Sequence, residues 1–358
     1  TTATKAILLD TRRGLVAEAD QPTTLHSDHP GWAEEDVEEW WDNLVALSRR
    51  LTADRQPDAI GVSGMVPCVV LLDAEGRPLR RSIQQNDARA TSEIAQLQVE
   101  LAGADILRRT GSPVTQQSVA PTIRWLARHE PTVLADALTL CGSYDAMVGR
   151  LTGERSVELN WAVESGLYDL DTTDWAADVV AAAGLDVDLL PTVRRAHDVV
   201  GKVTASAAAL TGLREGTPVV AGSADHVASA FAAGLVREGD LLVKLGGAGD
   251  ILLTTSEPVT DERLYLDMHL SPGLYLPNGC MASSGSFIRW FQRELAGGTA
   301  LDVLDDEADV VGAGAGGIVA LPYMLGEKTP INDPQARGVF SGLSLSHQRG
   351  HLFRAVLE

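Results

Sequence analysis

Cysteine, aromatic residues and positive charge are all scarce in this chain. The three cysteines, Cys68, Cys141 and Cys280, form no CxxC pair, so the sequence offers no disulfide framework. Such sparse cysteine is typical of a reducing compartment, and we expect a cytoplasmic protein. No apolar run reaches membrane-spanning length and no signal peptide is visible, so we expect no membrane partner.

The shortage of positive charge also limits the partners. Lysine and arginine total 29 against 49 acidic residues, for a formal net charge of −20. Nucleic acids and anionic membranes both reward positive charge, so neither is expected as a partner. An anionic ligand is still compatible with this charge, because backbone N–H groups and a metal ion can bind phosphate in an acidic protein.

What the chain does contain is a soluble, globular composition of two-domain length. Hydrophobic residues make up 45% of the 358 residues, and the mean hydropathy is +0.01. A chain of this length is longer than a single hydrophobic core usually accommodates, which favours two domains.

Strands and helices alternate along the sequence. A β-hairpin opens each half, with AILLD (6–10) in the first and LLVKLGGAGDILLTT (241–255) in the second. We therefore predict two α/β halves that meet near residues 235–240. Helices are predicted over 37–51, 92–102, 119–128, 132–138, 143–151, 173–185, 283–295 and 351–358, and further strands over 59–64, 69–79, 274–279 and 316–326.

Common nucleotide and metal motifs are absent or misplaced. Gly312, Gly314 and Gly317 satisfy GxGxxG, but a strand-like segment follows where a dinucleotide fingerprint requires a helix. No GxxxxGK[ST] loop is present, which disfavours a P-loop fold. HSDH (26–29) has no third ligand nearby and HExxH is absent, so we predict no zinc site.

A glycine cluster, GGAGD (246–250), allows two interpretations. Glycines in a hairpin expose backbone N–H groups without a Cβ in the way, which can form an anion nest for phosphate. The alternative is an ordinary tight hairpin turn.

Asp225, in GSADHVASAFAAG (222–234), also allows two interpretations. Aspartate is a favoured helix N-cap, a role that Ser223 could share. At a strand-to-helix junction the carboxylate could instead face a ligand. The glycine hairpin follows about twenty residues later, and a phosphoryl-transfer enzyme needs a carboxylate base near a phosphate-holding hairpin.

Several segments together resemble the FGGY family of carbohydrate kinases, and within it the xylulokinase-like members. GVFSGLSLSHQRGHLFRAVLE (338–358) fits the family's second signature at every defined position. The other similar segments are TTATK (1–5), HPGWAEEDVEEWW (29–41), IQQNDARA (83–90), GSADHVASAFAAG and LPYMLGEKTPINDPQARGVFSGL (321–343).

The resemblance implies an α/β protein with two ribonuclease-H-like domains of the actin/Hsp70 type and a cleft between them. Residues 1–237 would bind the sugar and supply the catalytic aspartate, and residues 238–358 would bind the nucleotide. The family's further segments would precede Thr1 and follow Glu358, so we expect the second domain to be incomplete here.

The resemblance also implies roles for individual residues. Asp225 would be the general base that takes a proton from the sugar hydroxyl, with ATP as donor and Mg²⁺ on its phosphates. No side chain is predicted to bind a metal ion. The residues expected at the nucleotide are Thr1, Thr2, Gly246, Gly247, Ala248, Gly249, Ser284 and Gly285.

The expected sugar ligands are Met65, Val66, Asn86, Asp87, Gln117 and His226. For Asp87 a salt bridge to Arg89 or a helix cap is an equal alternative. Xylulokinases usually have Met-His where this chain has Met65-Val66, and Asn or Gln where it has His226. The resemblance implies D-xylulose as the acceptor. Because these departures touch the sugar pocket, the alternatives are another ketose or polyol (ribulose, erythrulose or glycerol type) or a non-catalytic binding role. A homodimer is possible.

Overall fold

The computed structural model describes residues 3–333 and 335–358, and it begins with the expected hairpin. Strands β1 (Ala3–Asp10) and β2 (Gly14–Pro22) pair antiparallel. Helix α1 (Val37–Leu51) has the predicted bounds. Asp36 caps it by accepting a hydrogen bond from the backbone N–H of Glu38, as an N-cap carboxylate does.

The remaining elements alternate along the chain as predicted. The strands are β3 (Leu25–His26), β4 (Glu34–Glu35), β5 (Ser63–Gly64), β6 (Val70–Leu72), β7 (Ser82–Ile83), β8 (Thr139–Cys141), β9 (Ser156–Glu158), β10 (Tyr168–Asp169), β11 (Asp174–Trp175), β12 (Thr192–Arg194), β13 (Val199–Lys202), β14 (Pro218–Val220), β15 (Ser223–Ala224), β16 (Leu241–Leu245), β17 (Gly249–Leu253), β18 (Tyr265–Met268), β19 (Tyr275–Met281), β20 (Val319–Leu321) and β21 (Val339–Ser341).

The other helices are α2 (Thr91–Glu100), α3 (Ile106–Thr110), α4 (Val119–His129), α5 (Pro131–Asp136), α6 (Ser143–Thr152), α7 (Leu159–Glu164), α8 (Ala177–Ala183), α9 (Ala205–Thr211), α10 (Asp225–Ala232), α11 (Gly285–Trp290), α12 (Leu301–Val311) and α13 (Arg349–Leu357). A π-helical turn, Phe291–Leu295, continues α11, and 3₁₀ turns occupy Val187–Leu189 and Ala315–Gly317.

The largest hydrophobic core lies in the first half and reaches into the second. Trp161, Tyr144 and Leu140 are fully buried in it, and Leu252 and Leu276 from β17 and β19 join the same cluster. Two smaller clusters, one around Phe291 and Phe353 and one around Ile318, lie in the second half. The second-half sheet therefore packs directly on the core of the first half.

The second half opens with an antiparallel sheet in the order β16-β17-β19-β18. Leu245 pairs with Gly249 across the first turn, so the glycine cluster forms the tip of a hairpin, as the sequence predicted. Asp250 pairs with Cys280 in the neighbouring strand. This sheet carries the glycine turn at one edge and β18 at the other.

A short parallel pair in the first half positions the start of α10. Ser223 and Ala224 of β15 lie beside Ser63 and Gly64 of β5. Gly222 precedes the pair at φ +88°, and a Cβ on it would lie 1.8 Å from the carbonyl oxygen of Val62. Only glycine permits this close approach. It allows β15 and β5 to end side by side at their carboxyl ends.

Some predicted elements are shorter or differently bounded. The helix predicted over 173–185 begins only at Ala177, because Asp174 and Trp175 pair with Tyr168 and Asp169 as a short strand. Over 316–326 only Val319–Leu321 is a strand. That strand follows Gly312, Gly314 and Gly317, which confirms that their spacing is not a dinucleotide fingerprint.

Within the described part of the chain, every helix is too short or too polar to cross a bilayer.

Replacing Gly222 tests how far the fold depends on the close approach of the backbone segments around Gly222 and Val62. We expect Gly222→Ala to lower the free energy of unfolding by about 4 kcal/mol or more, since the clash with Val62 adds to the left-handed backbone. Gly76→Ala is the matched control, with φ +75° and open space around the added Cβ; it should cost only about 1–2 kcal/mol. Equal losses in denaturant titrations would contradict the role of the Val62 contact.

Candidate active site

Asp225 lies at the carboxyl end of β15, where it begins α10 and faces open space. Its side chain is 56% exposed. The helix cap position belongs to Ala224, and no side chain caps this helix, so the N-cap interpretation of Asp225 is wrong. Since β5 runs parallel to β15, Met65 leaves its strand beside Asp225. The carboxylate and the 65–67 loop therefore share one edge, where ligands bind in open parallel sheets.

Neighbouring positive charge keeps the carboxyl group of Asp225 ionised. The surrounding protein would by itself raise its pKa, but the hydrogen bond and charge of His226 and the more distant charge of Lys244 outweigh this and lower the pKa. His226 Nδ1 lies 3.6 Å from Asp225 Oδ1. The group is thus a carboxylate, able to accept a proton, near neutral pH.

The glycine turn presents its amides and keeps its carbonyls occupied. Gly246 N–H donates to Ala248 O across the turn (2.9 Å). Neither Gly247 N–H nor Ala248 N–H donates to a protein acceptor among the described residues. Gly249 has no room for a side chain, because a Cβ would lie 2.9 Å from Met281. The turn therefore offers two backbone donors without a protein acceptor, as an anion nest requires.

Helix α11 holds the turn through the backbone amides at its start. Ser284 N–H and Gly285 N–H donate to Gly247 O and Gly246 O, both at 2.8 Å. A Cβ on Gly285 would lie 2.6 Å from Gly246 O. The structure thus places Ser284 and Gly285 against the glycine turn, which their amides hold in place.

Lys244 connects the glycine turn to Asp225 electrostatically. Its Nζ lies 2.8 Å from Asp250 Oδ2 in the paired strand. The hydrogen bond to Asp250 is the largest factor that raises the pKa of Lys244, and the negative charge of Asp225 raises it further. A cation fixed by Asp250 therefore lies beside the glycine turn, close enough for its charge to act on Asp225.

A polar group of side chains lies across the groove, beside Met65. Gln85 Oε1 accepts hydrogen bonds from Gln117 Nε2 (2.5 Å) and from Lys328 Nζ (3.0 Å). Gln85 Nε2 lies 3.7 Å from Met65 Sδ. The structure thus brings together the predicted Met65 and Gln117 through Gln85 and Lys328, which the sequence analysis did not select.

Three other predicted sugar ligands lie differently. Val66 is 4% exposed and belongs to the main core. Asn86 is exposed, and its backbone carbonyl accepts a hydrogen bond from Gln116 (2.8 Å). Asp87 is buried, and its two oxygens accept hydrogen bonds from the side chain of Arg89 (both 2.8 Å). The geometry favours the salt-bridge alternative for Asp87, which orders the segment that carries Gln85.

Thr1 and Thr2 lie outside the described residues.

Two further acidic residues come close to His226 from other elements. Glu164 ends α7, and Asp267 lies in β18. Like Gln85, Lys244 and Lys328, they were missed from the sequence. Lys244 could have been found, since it lies two residues before Gly246 of the glycine cluster. Glu164 and Asp267 gave no local signal, because only the packing of α7 against β18 brings them to α10.

The groove is lined from both halves of the chain, which contact each other directly at its floor. Met268 N–H of β18 donates to Asn160 Oδ1 of α7 (2.7 Å), and Asn160 Nδ2 donates back to Met268 O (3.1 Å). Leu266 N–H donates to Ser112 Oγ (3.1 Å).

Lys328 of the second half bonds to Gln85 of the first half, and the charge of Lys244 in the second half acts on Asp225 of the first. A carboxylate, an amide nest and two lysines contributed by both halves suit transfer of a phosphoryl group to an alcohol.

Comparison with known proteins gives matches along the whole chain. Residues 1–232 match the model of the FGGY family of carbohydrate kinases, N-terminal domain, and residues 242–358 match the model of its C-terminal domain. The chain is 28% identical to the xylulose kinase of Bacillus subtilis (strain 168), over 100% of this chain and 73% of that protein. It is 27% identical to the gluconokinase of Bacillus licheniformis, over 100% of this chain and 72% of that protein.

A solved structure agrees with these matches. The crystal structure of xylulose kinase from Rhodospirillum rubrum is 51% identical, with a TM-score of 0.92 over 99% of this chain and 74% of that one. The expected fold class, a two-domain carbohydrate kinase fold of the actin/Hsp70 type, is thereby confirmed. The chain belongs to the FGGY family of carbohydrate kinases, and it is a sugar kinase that takes its phosphoryl group from ATP.

Proposed function

We propose that this kinase transfers the γ-phosphoryl group of ATP to a hydroxyl group of a ketopentose, with D-xylulose as the acceptor. The observation that carries the proposal is the exposed, ionised carboxylate of Asp225, on which the charge of Lys244 beside the glycine turn acts. The xylulose kinases among the similar proteins support the choice of sugar.

Asp225 acts in this proposal as the general base. It accepts the proton of the attacking hydroxyl while the oxygen bonds to phosphorus and the bond from phosphorus to the leaving ADP oxygen breaks. Base catalysis of this kind is worth on the order of 10²–10⁴ in rate. The exposed position of the carboxylate suits contact with a sugar, and its low pKa keeps it ready to accept a proton.

The glycine turn holds the transferring phosphate. The amides of Gly247 and Ala248 donate to phosphate oxygens, and Gly246 and Gly249 supply the backbone shape. Lys244 adds a positive charge beside the turn. Donors that are fixed in advance stabilise developing charge without reorganising during the reaction, which is the main form of catalysis in phosphoryl transfer. Ser284 and Gly285, which the sequence analysis expected at the nucleotide, position this turn through their amides in the proposal.

Mg²⁺ fits the donors and charges in the groove. The ionised carboxylate of Asp225 lies beside the transferring phosphate in this proposal, so the bare phosphates of ATP would be repelled. A divalent cation carried on the phosphate oxygens would supply the charge neutralisation that transfer needs. We assign it no protein side chain as a ligand.

The sugar pocket in this proposal lies between Asp225 and the side chains around Gln85. Met65, Gln85 and Gln117 offer one apolar and two amide surfaces, which suit a polyol with alternating donors and acceptors. Asn86 follows Gln85 in the chain, and the buried side chain of Val66 holds the 65–67 loop against the core. The acidic side of the groove favours an uncharged ketose over an aldonate such as gluconate, because a carboxylate would meet like charge.

A panel of acceptors tests the proposed substrate. ADP release with D-xylulose, D-ribulose, erythrulose, glycerol and gluconate should give the highest kcat/KM for D-xylulose. A higher value for gluconate would overturn the substrate and the charge argument together. Sugar-induced thermal stabilisation with no phosphorylated product from any sugar would show a binding protein instead of a kinase.

Replacing the base should abolish most of the turnover. We expect Asp225→Asn to lower kcat by about 10²–10⁴-fold with the KM for the sugar changed much less, because the proton has no acceptor. Asp302→Asn is the matched control. It changes another aspartate in the first turn of a helix, where the carboxylate contacts only Val303 N–H, and kcat should stay the same. Full turnover by the Asp225 variant would remove the general-base role.

Displacing the glycine turn should weaken the use of ATP. Gly285→Ala puts a Cβ 2.6 Å from Gly246 O, so the turn must shift. We expect kcat/KM for ATP to fall by about 10²-fold, as small misplacements of catalytic groups cost rates of that order. Gly103→Ala is the control, because the space around its Cβ is open. An unchanged kcat/KM for ATP in the Gly285 variant would show that the turn does not hold phosphate.

Two expectations stay predictions: the homodimer, from the resemblance, and the cytoplasmic location, from the cysteine content. A homodimer would give twice the mass of the chain in sedimentation equilibrium. Cytoplasmic location would be tested by fractionation of the source cells.

A further inference from the structure

A buried group of three ionisable side chains lies directly behind the carboxylate of Asp225. Glu164, His226 and Asp267 come from α7, α10 and β18, and their nearest ligand-type atoms lie within 4.8 Å of one another. Their side chains are 10%, 16% and 1% exposed. We name them the rear cluster. The catalytic roles proposed above do not use it.

The ring of His226 lies between acidic groups on both of its nitrogen sides. Nε2 is 3.0 Å from Asp267 Oδ2 and 3.8 Å from Glu164 Oε1. Nδ1 is 3.6 Å from Asp225 Oδ1. The ring interacts with these acids mainly through its charge, because Nε2 has no well-aligned acceptor and Nδ1 lies at the outer limit of hydrogen-bond distance. Only the imidazolium form carries that charge.

The rear cluster has no other cation. Among the described residues, no lysine or arginine lies within ion-pair distance of Glu164 or Asp267. Glu164 Oε1 and both oxygens of Asp267 are buried without a well-aligned hydrogen-bond donor. Buried carboxylates without a partner are costly, so the positive charge of His226 is what offsets theirs.

The expected protonation follows from the same contacts. Burial by itself would lower the pKa of His226, but the charges of Asp267 and Glu164 outweigh it and raise the pKa well above the usual value. Burial, the charge of Asp267 and the hydrogen bond to it raise the pKa of Glu164, which the charge of His226 opposes. These directions favour the charged form of the ring.

We propose that His226 is a positioning residue, a protonated imidazole anchored by Asp267 and Glu164 that holds the carboxylate of Asp225 ionised and turned toward the groove. The proposal rests on the proposed function, since it assigns a support to the proposed base. His226 was expected from the sequence to touch the sugar. Its low exposure and its contacts with three carboxylates favour action through Asp225 instead.

The arrangement also ties the base to the contact between the halves. Asp267 lies on β18, whose neighbouring residues Leu266 and Met268 bond to Ser112 and Asn160 of the first half. His226 lies on α10 of the first half. The packing of β18 against the first half therefore sets where Asp267 contacts His226, and so the support that Asp225 receives.

Protonation of His226 can be measured without any turnover. The intact protein is labelled with ¹⁵N-histidine, and the spectrum of His226→Asn identifies the ring signals of His226 among the eight histidines. We expect two protonated ring nitrogens at pH 8, and deprotonation at a lower pH in Asp267→Asn. A neutral ring at pH 7 overturns the proposal, as does a metal ion that co-purifies and is lost in Asp267→Asn.

The effect on the base is measured from the pH dependence of kcat/KM for D-xylulose. Its acidic limb is the pH range in which activity falls as Asp225 becomes protonated. The charged groups that face Asp225 are His226, Lys244 and, farther away, Glu164. The Cys280 thiol near His226, with its pKa raised to about 11 by burial, stays neutral over the assay range. Loss of the imidazolium raises the pKa of Asp225, so activity is lost at a higher pH on acidification.

We expect His226→Asn to move this limb upward by about one pH unit and to lower kcat about tenfold with the KM nearly unchanged. Asp267→Asn should act in the same direction and more strongly than Glu164→Gln, because Asp267 lies closer. Glu93→Gln is the control, a buried carboxylate bonded to Ser92 and Arg128, and should leave the limb in place.

These outcomes separate the positioning role from the proposed function. If no sugar is phosphorylated but the ring of His226 is doubly protonated and depends on Asp267, the proposed function fails while the anchored imidazolium stands. If D-xylulose is phosphorylated and the acidic limb does not move in His226→Asn, the positioning role is overturned while the kinase stands. Circular dichroism of each variant confirms that it is folded.

Discussion

The close approach of two backbone segments at Gly222 is the constraint on which the site depends. It allows β15 to run parallel to β5, so that Asp225 and Met65 leave the sheet side by side. The Cβ of any other residue at 222 would clash with the carbonyl oxygen of Val62. The position of the Asp225 carboxylate thus follows from a steric condition three residues earlier in the chain.

The groove combines charges of opposite sign in an acidic protein. The formal net charge is −20, yet the proposed phosphate site needs donors, and the backbone of the glycine turn and Lys244 can supply them. Helix α11 holds the carbonyls of that turn, which leaves its amides free for a ligand. Cations are therefore placed singly where an anion is bound, and the general acidity of the surface does not prevent nucleotide binding.

The sequence predicted the elements whose pattern is local. The opening hairpin, α1 and the hairpin around Gly247 lie where alternation, helical spacing and glycine indicated. The helix predicted from residue 173 begins later, because Asp174 and Trp175 pair with a strand that their own pattern does not reveal. Local spacing predicts a helix face but cannot exclude a competing backbone partner.

The sequence by itself determined the family, the base Asp225 and the glycine turn as candidates, because these depend on residue type and short spacing. Tertiary structure decided what surrounds them. It buried Val66, paired Asp87 with Arg89, and brought Glu164 and Asp267 to the ring of His226. Contacts between residues far apart in the chain depend on how helices and sheets pack, and no local pattern encodes that packing.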